Sequence, residues 1–239
     1  FVESLPHRPP VGAFTATATP DVKTDICRLL ELRDPLELTT GFDRENLYFE
    51  VQQPSDKRVA LLELVKSRPG KCGIVYCSTR KTVEEVCDFL RQRGVAAARY
   101  HAGLAPEERQ RNQEDFLYDR VQVMVATNAF GMGIDKADVR FVVHYALCDS
   151  LESYYQEAGR AGRDGMRSYA LLLVSSDDGE RIVRRFEQEF PPLEKIKDIY
   201  ERVCSYLQVG IGDGAQASFL FNIHDFCARE PVSYTHLRA

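Results

Sequence analysis

The sequence lacks an apolar run long enough to cross a bilayer, and it lacks the basic and apolar leader of a secreted protein. We therefore expect no membrane partner and a cytoplasmic location, next to the nucleoid if the source is bacterial. None of the seven cysteines forms a C-x-x-C pair, so buried reduced thiols are expected and a zinc site is not. The net charge of -5 argues mildly against a nucleic-acid binder but leaves room for a local basic groove.

Two common signatures of a nucleoside triphosphate site are also missing. The sequence contains no G-x-x-x-x-G-K-[ST] phosphate loop and no D-E-x-H run for Mg²⁺. Any phosphate-binding groups in this chain are therefore expected to form only part of such a site. The 239 residues, of which 44% are hydrophobic and 28% charged, fit a soluble globular protein with a sizeable core.

Strand-like and helix-like segments alternate through the middle of the sequence. Short runs rich in β-branched residues predict strands at Gly73–Ser78, Ala96–Tyr100, Val121–Thr127, Val139–Tyr145 and Ser168–Val174. Apolar spacing and capping signals predict helices at 81–93, from Pro106 onward, and from the Asp149/Glu152 capping pair to Gly165. This alternation indicates an α/β fold, a parallel sheet with helices on both faces.

The flanks of this α/β region have a different pattern. Ala13–Pro20 resembles a strand that breaks at Pro20, but it has no obvious partners for a sheet of its own. Arg181–Tyr206 has helical apolar spacing, interrupted at Pro191 and Pro192. We therefore expect a short helical region after the last strand.

Four polar clusters follow predicted strands. Because ligands of parallel α/β sheets gather beyond the carboxyl ends of the strands, these clusters are expected to meet at one edge. The clusters are Ser78–Arg80, His101–Gly103, Thr127–Asp135, and the stretch QEAGRAGRDG at 156–165.

Arg160 and Arg163 are the leading candidates for chemistry. At a spacing of three they would share one face of a helix, and Gly159 and Gly162 would clear the space around them. Guanidinium groups bind phosphate oxygens by two hydrogen bonds and stay charged, so the pair is typical of an arginine finger. The alternative from these residues alone is a solvated helix end that stops at a glycine.

The other clusters also allow two interpretations each. Gly131 and Gly133 permit a tight loop whose amides face a phosphate, helped by Thr127, with Asp135 on a ribose hydroxyl; the alternative is a plain turn. Ser78–Lys81 fits either an anion site or an ordinary helix cap with a surface arginine. The His101 side chain would hydrogen-bond either a phosphate or a loop carbonyl.

Taken in order, these stretches resemble the motifs of the RecQ family of superfamily-two helicases. FTATAT at 14–19 resembles motif III, and FDRENL at 42–47 is similar to the family's FDRPNL, with Glu45 in place of proline. IVYCSTRK resembles motif IV, YHAGL the next nucleic-acid contact, ATNAFGMGIDKADVRFVVHY motif V, and QEAGRAGRDG motif VI. Thr15-Ala16-Thr17 and the Gln156-Glu157 pair differ from the DEAD-box pattern of RNA helicases, which favours DNA.

The resemblance implies a 3′-to-5′ DNA helicase of repair or recombination that uses ATP and Mg²⁺ and binds single strands and duplex junctions. A non-catalytic nucleic-acid-binding module and an RNA helicase are the alternatives. By position, Arg160 and Arg163 would face the γ-phosphate. Three sets of residues carry the other implied roles: Gln156, Gly133 and Asp135 at the nucleotide; Ser78, Thr79, Arg80, His101, Ala102, Thr127 and Asn128 along the DNA; and Thr15, Ala16 and Thr17 in coupling.

The resemblance also implies a domain organisation. Residues 1–35 would end a first RecA-like lobe, residues 36–178 would form the second, and residues 179–239 would begin an accessory helical region. The phosphate loop and the Mg²⁺ ligands would belong to the rest of the first lobe, before Phe1, so the chain alone would be an inactive fragment. The family's four-cysteine zinc module is not expected here, and PVSYTHLRA at 231–239 resembles a cloning scar.

Overall fold

A computed structural model describes residues 7–15, 18–39, 43–131, 134–210, 212–213 and 218–230. The chain divides into two compact units, Phe1–Ser175 and Ser176–Ala239. A separate unit for residues 1–35 therefore stays a prediction. Ala16, Thr17, Gly133 and the last nine residues lie outside the described part of the chain.

The first unit contains a six-stranded sheet in which every neighbouring pair is parallel. The predicted parallel α/β architecture is therefore confirmed. The strand order is β1-β6-β5-β2-β4-β3, so the first and the last strand in sequence are neighbours. The strands are β1 Leu47–Gln52, β2 Gly73–Tyr76, β3 Ala97–Tyr100, β4 Val123–Ala126, β5 Phe141–His144 and β6 Ser168–Leu173.

Four helices of the first unit, α2 to α5, connect these strands, while α1 precedes β1. Thr79 caps α3 by accepting a hydrogen bond from the amide of Thr82 at 3.1 Å, and Pro106 begins α4 as predicted. The cap of α5 is Ser150 rather than Asp149, because the Ser150 hydroxyl accepts from the Ser153 amide at 3.1 Å. The helices are α1 Pro20–Leu29, α2 Lys57–Lys66, α3 Arg80–Arg91, α4 Pro106–Leu117 and α5 Leu151–Ala158.

Helices cover both faces of the sheet, as predicted. On one face, Val75 of β2 packs in a buried cluster with Leu61 of α2 and Val83 of α3. On the other face, the next residue back, Ile74, packs in a second cluster with Phe116 of α4 and Ala158 of α5. Successive side chains of a strand point to opposite faces, so each central strand is buried on both sides.

The strand-like interpretation of Ala13–Pro20 was wrong. Residues 13–15 and 18–19 are irregular in the structure, and Pro20 is the first residue of α1. The Thr19 hydroxyl accepts from the Val22 amide at 3.3 Å, and proline fits the first helical position because its missing N–H is not needed there. The predicted break at Pro20 is therefore confirmed, because a capped helix begins there.

The second unit is helical, as expected from the apolar spacing. It contains α6 Asp178–Glu189, α7 Leu193–Leu207 and α8 Ile223–Arg229, with Pro191 and Pro192 between the first two. Within it, the Tyr206 hydroxyl donates to Asp225 at 2.7 Å and its ring packs edge-on against Phe226. In the described residues of the whole chain, no helix has both the length and the apolar character of a membrane span.

Candidate functional site at the carboxyl edge of the sheet

The strand order brings three of the four polar clusters together. Strands β2, β4 and β3 are consecutive neighbours, and the clusters that begin at Ser78, His101 and Thr127 follow their carboxyl ends. Because these strands are parallel, their carboxyl ends form one edge, and the predicted convergence is confirmed for these three clusters. It was wrong for the fourth: α5 runs away from this edge, so residues 159–164 lie at the amino end of β5, where the Gly162 amide donates to the carbonyl of Val139 at 2.8 Å.

The two candidate arginines do not lie on a helix. Helix α5 ends at Ala158, seven residues before the predicted stop at Gly165, and residues 159–164 form a turn, here called the arginine turn. Gly162 adopts a φ of 62°, a left-handed conformation that ends helical geometry and favours glycine. The glycines therefore shape the backbone of the turn itself, and the predicted shared helical face of Arg160 and Arg163 was wrong.

Arg44 fixes the arginine turn from outside. Its guanidinium group donates to the carbonyl oxygens of Gly162 at 2.7 Å, Ala161 at 3.1 Å and Gly159 at 3.4 Å. These carbonyls follow the carboxyl end of α5, where a cation also suits the helix dipole. The amide of Asn46 adds a bond to the Gly162 carbonyl at 2.8 Å. The FDRENL stretch therefore holds the turn that carries the two arginines.

Gly162 leaves no room for a side chain. A Cβ atom there would lie 2.6 Å from Nδ2 of Asn46 and 2.7 Å from Oγ of Ser168. On the other side, the Gly162 amide donates to the carbonyl of Val139 at 2.8 Å. The turn is therefore packed between the Arg44 segment and the start of β5.

Arg160 points into the loop after β4. Its Nη1 donates to the carbonyl oxygen of Gly131 at 2.6 Å, while its buried Nε has no hydrogen-bond partner in the described residues. A Cβ atom on Gly131 would lie 2.2 Å from Nη2 of Arg160. In this conformation Gly131 makes room for Arg160, a role that neither alternative from the sequence, a phosphate-facing loop or a plain turn, included.

Tyr76 contributes to the same contact and was missed from the sequence. It ends β2, is buried, and donates its hydroxyl to the carbonyl of Phe130 at 3.0 Å, next to the carbonyl that binds Arg160. Burial raises the pKa of Tyr76, which the nearby positive charge of Arg160 partly opposes. The sequence signal that could have identified Tyr76 is its polar hydroxyl at the end of an otherwise apolar strand.

Arg163 is held more loosely than Arg160. Its Nη1 lies 3.4 Å from the carbonyl oxygen of Ile134 and 3.7 Å from a carboxylate oxygen of Asp135. The Asp135 side chain is 94% exposed, so this ion pair is weak. Arg163 and Asp135 are therefore both accessible to a ligand, as is the exposed Gln156.

His101 is buried and engaged on both sides of its ring. Its Nδ1 accepts from the amide of Gly103 at 3.1 Å, so the ring proton sits on Nε2 and points to Glu84 at 2.7 Å. The structure thus adds a third arrangement to the two considered from the sequence, since the ring accepts from a loop amide. Contact of His101 with DNA stays a prediction.

A network of charges surrounds His101 and was not predicted. Arg99 binds Glu84 with one nitrogen and Glu108 with two others at 3.1 Å. Partial burial raises the pKa of Glu84, but hydrogen bonds from His101 and Arg99 outweigh it and the net pKa is lowered. The network fixes residues 101–105, here called the histidine loop, to α3 and α4.

The remaining candidates differ in exposure. Thr79 is committed to capping α3, which supports the plain alternative for that residue, while Thr127 is half-buried. Gly103 lies beside the Arg80 side chain, since a Cβ on it would be 3.1 Å from Nη1 of Arg80. The candidates that are exposed and able to reach a ligand are Thr15, Ser78, Arg80, Ala102 and Asn128.

Comparison with known proteins identifies relatives of this chain. A family profile described as the helicase conserved C-terminal domain matches residues 56–165. The chain is 48% identical over 182 residues to the ATP-dependent DNA helicase RecQ of Bacillus subtilis and 47% identical over 184 residues to the RecQ-like DNA helicase BLM of Xenopus laevis. The chain belongs to the RecQ family. These matches cover 76% and 75% of the chain.

The RecQ relatives are much longer than this chain. It spans 30% of the length of the Bacillus protein and 14% of the Xenopus protein. Among solved structures, Dbp5 of S. cerevisiae bound to RNA and ADP BeF3 is similar with a TM-score of 0.58 and 26% identity, over 74% of this chain and 48% of that one. This RecQ chain therefore has the fold of a RecA-like helicase lobe, which it shares with Dbp5.

Proposed function

We propose that this RecQ chain is the second motor lobe of an ATP-dependent DNA helicase that moves 3′ to 5′ in repair or recombination. The carrying observation is the arginine turn, whose backbone is fixed by Arg44 while its two guanidinium groups contact the loop after β4. The printed names of its relatives, DNA helicases of the RecQ family, support the choice of DNA.

The two arginines fit the phosphates of ATP. Arg160 carries a buried Nε without a partner in the described residues, and Arg163 makes only long contacts. A triphosphate oxygen would satisfy that orphan donor and replace the Gly131 carbonyl as the acceptor for Arg160. Placed at charge that develops during phosphoryl transfer, such an arginine accelerates the reaction on the order of 1,000-fold or more.

The described residues of this site do not fit Mg²⁺. Asp135 is paired with Arg163, and Glu84 is paired with Arg99, so the carboxylates near the site already serve cations. We therefore assign the Mg²⁺ ligands and the phosphate loop to a first RecA-like lobe, which has to meet this site for turnover. This chain alone is expected to have negligible ATPase activity.

The DNA strand would lie across the loops after β2, β3 and β4. Ser78, Arg80 and Asn128 are exposed there and can reach phosphates. The Arg160 side chain contacts the loop after β4. Movement of this side chain on nucleotide binding would therefore be transmitted to the DNA strand through residues 127–131. We propose that closing and opening of the two lobes alternately grips and releases the strand.

The test joins this chain to a RecQ first lobe and compares Arg160→Ala with Arg93→Ala. Arg93 stacks on Phe89 at 3.7 Å and lies beyond the opposite end of α3, which makes it a matched control. We expect Arg160→Ala to lower DNA-stimulated ATP turnover on the order of 1,000-fold, with DNA affinity unchanged and Arg93→Ala near wild type.

The alternatives predict different outcomes in the same experiment. In a non-catalytic nucleic-acid-binding module, suggested by the missing phosphate loop, Arg160→Ala weakens DNA binding and leaves ATP turnover intact. An RNA helicase is suggested by the RNA-bound Dbp5 structure. Unwinding of RNA duplexes in preference to DNA duplexes, both with 3′ overhangs, would support that reading and contradict ours.

A further inference from the structure

A second group of ligand-type side chains lies near the arginine turn, and the proposed function does not use it. The group contains the imidazole of His144, the thiol of Cys148 and the carboxylate of Glu157. These residues come from the end of β5, the loop after it, and the last turn of α5. One donor atom from each residue lies within 4.8 Å of the other two, so three separate elements converge on one point.

The distances between the donor atoms suit a small cation. His144 Nε2 lies 3.0 Å from a carboxylate oxygen of Glu157, and the Cys148 sulfur lies 3.6 Å from the same oxygen. Ligands that surround one zinc ion tetrahedrally at about 2.0–2.3 Å are roughly 3.3–3.7 Å from one another. An ion can therefore replace the present hydrogen bonds with only small movements of the side chains.

The imidazole of His144 is already fixed in position. The ring is fully buried and lies between Tyr76, with ring centroids 5.6 Å apart, and Tyr154, at 4.6 Å. Its Nδ1 makes no hydrogen bond in the described residues. A shift of the ring proton from Nε2 to Nδ1 therefore breaks no bond at Nδ1 and frees the Nε2 lone pair for a metal.

The charges of the site also balance around a divalent cation. The side chain of Glu157 is only 15% exposed, and His144 is its only ion-pair partner within the described part of the chain. Binding would convert the Cys148 thiol to a thiolate and release its proton to solvent. A dication with one thiolate and one carboxylate is neutral overall, which favours a half-buried position.

We propose that His144, Cys148 and Glu157 form a binding site for a zinc-class divalent cation. Nitrogen, sulfur and oxygen donors together select zinc over the hard cations Mg²⁺ and Ca²⁺. Three protein ligands leave a fourth position for water. The expectation of no zinc was based on closely spaced cysteine pairs and did not consider a mixed donor set of this kind. The ion would link β5 to α5 through Glu157, two residues before the arginine turn begins.

The test titrates the full chain with zinc by calorimetry and with Co²⁺ by absorption spectroscopy. We expect one ion per chain, a thiolate-to-cobalt absorption band, and a rise in melting temperature with zinc because binding stabilises the folded state. Cys148→Ser should remove the band and the thermal shift. Cys227→Ser, at another half-buried cysteine in the second unit, should retain both.

Glu157→Gln provides a second variant of nearly unchanged shape if Cys148→Ser does not fold. It should weaken zinc binding at least tenfold, since an amide is a poorer ligand than a carboxylate. Absence of saturable zinc binding to the wild-type chain would overturn the site. So would zinc binding that survives both Cys148→Ser and Glu157→Gln, or that is lost only in Cys227→Ser.

Discussion

The arginine turn lies at the amino end of β5 and the histidine loop at the carboxyl end of β3, and the two are held by different kinds of contact. Arg44 donates to three backbone carbonyls of the arginine turn, which do not titrate. The histidine loop depends on side-chain charges, through His101, Glu84 and Arg99. The bonds from Arg44 therefore do not depend on pH, whereas those of the histidine loop do; the arginine turn itself also carries one acid-sensitive ion pair, between Asp164 and Arg140.

The largest expected effect comes from adding one methyl group to the arginine turn. Gly162→Ala would force a Cβ to within 2.6 Å of Asn46 in a left-handed backbone, so we expect about 3 kcal/mol lower free energy of unfolding. Gly165→Ala is the control, because its φ is also positive at 79° but nothing lies within 4 Å of its Cβ. About 1 kcal/mol is expected there. Equal losses in urea denaturation would show that the packing around Gly162 contributes nothing.

Arg44→Ala is expected to have the next largest effect. Loss of the charged donor leaves the carbonyls of Gly159, Ala161 and Gly162 without this partner, at a cost of about 2 kcal/mol in the free energy of unfolding. Arg44→Lys should recover only part of it, because an ammonium group cannot match the guanidinium fork. The loss should be the same at pH 7 and pH 4. A penalty that disappears in acid would mean that Arg44 acts through a carboxylate instead.

The effect of Glu84→Gln on stability should depend on pH, unlike that of Arg44→Ala. The folded pKa of Glu84 lies below its ordinary value of 4.5, so its ionised form stabilises the fold fully above pH 4.5. This contribution is lost as the pH falls through the lowered folded pKa. We expect the variant to be less stable than wild type at pH 7 and to lose less stability on acidification. Parallel curves of unfolding free energy against pH for the two proteins would contradict the proposed role of the network.

Asp135→Asn is expected to have the smallest effect. Its carboxylate is 94% exposed and 3.7 Å from Arg163, so removal of its charge should change the free energy of unfolding by less than about 0.5 kcal/mol. A loss above 1 kcal/mol in thermal or urea unfolding would show that Arg163 is held more firmly than these distances indicate.

The sequence predicted the part of this molecule that depends on local patterns. Alternation of strands and helices was enough for the parallel sheet and for the edge where the first three clusters meet, because both follow from chain order; it did not place the arginine turn, which lies at the amino end of β5. The end of α5 was misplaced because the spacing of Arg160 and Arg163 suited a helix and the weight of Gly159 and Gly162 was underestimated. Strand β1 was missed because its short, partly exposed sequence lacks the continuous apolar run that predicted the central strands.

The contacts that fix the site could not be predicted in the same way. Arg44 and its carbonyl partners are separated by more than 100 residues, and no pattern in either stretch points to the other. Glu84 and His101 are nearer in sequence, but their pairing depends on how α3 packs beside β3. Such contacts follow from tertiary packing, which a single sequence does not reveal by period or spacing.

The position of β1 has a consequence for synthesis of the protein. Among the described strands β1 pairs only with β6, and Leu47 lies opposite Ser168, so the first strand of this sheet to be synthesised stays unpaired until the last one follows. During that interval its exposed Tyr48, Phe49 and Val51 present an unpaired edge to other nascent chains. Arg44 and Asn46 lack their partners for the same interval. The sheet edge and the arginine turn are therefore completed together, when the ribosome delivers β6.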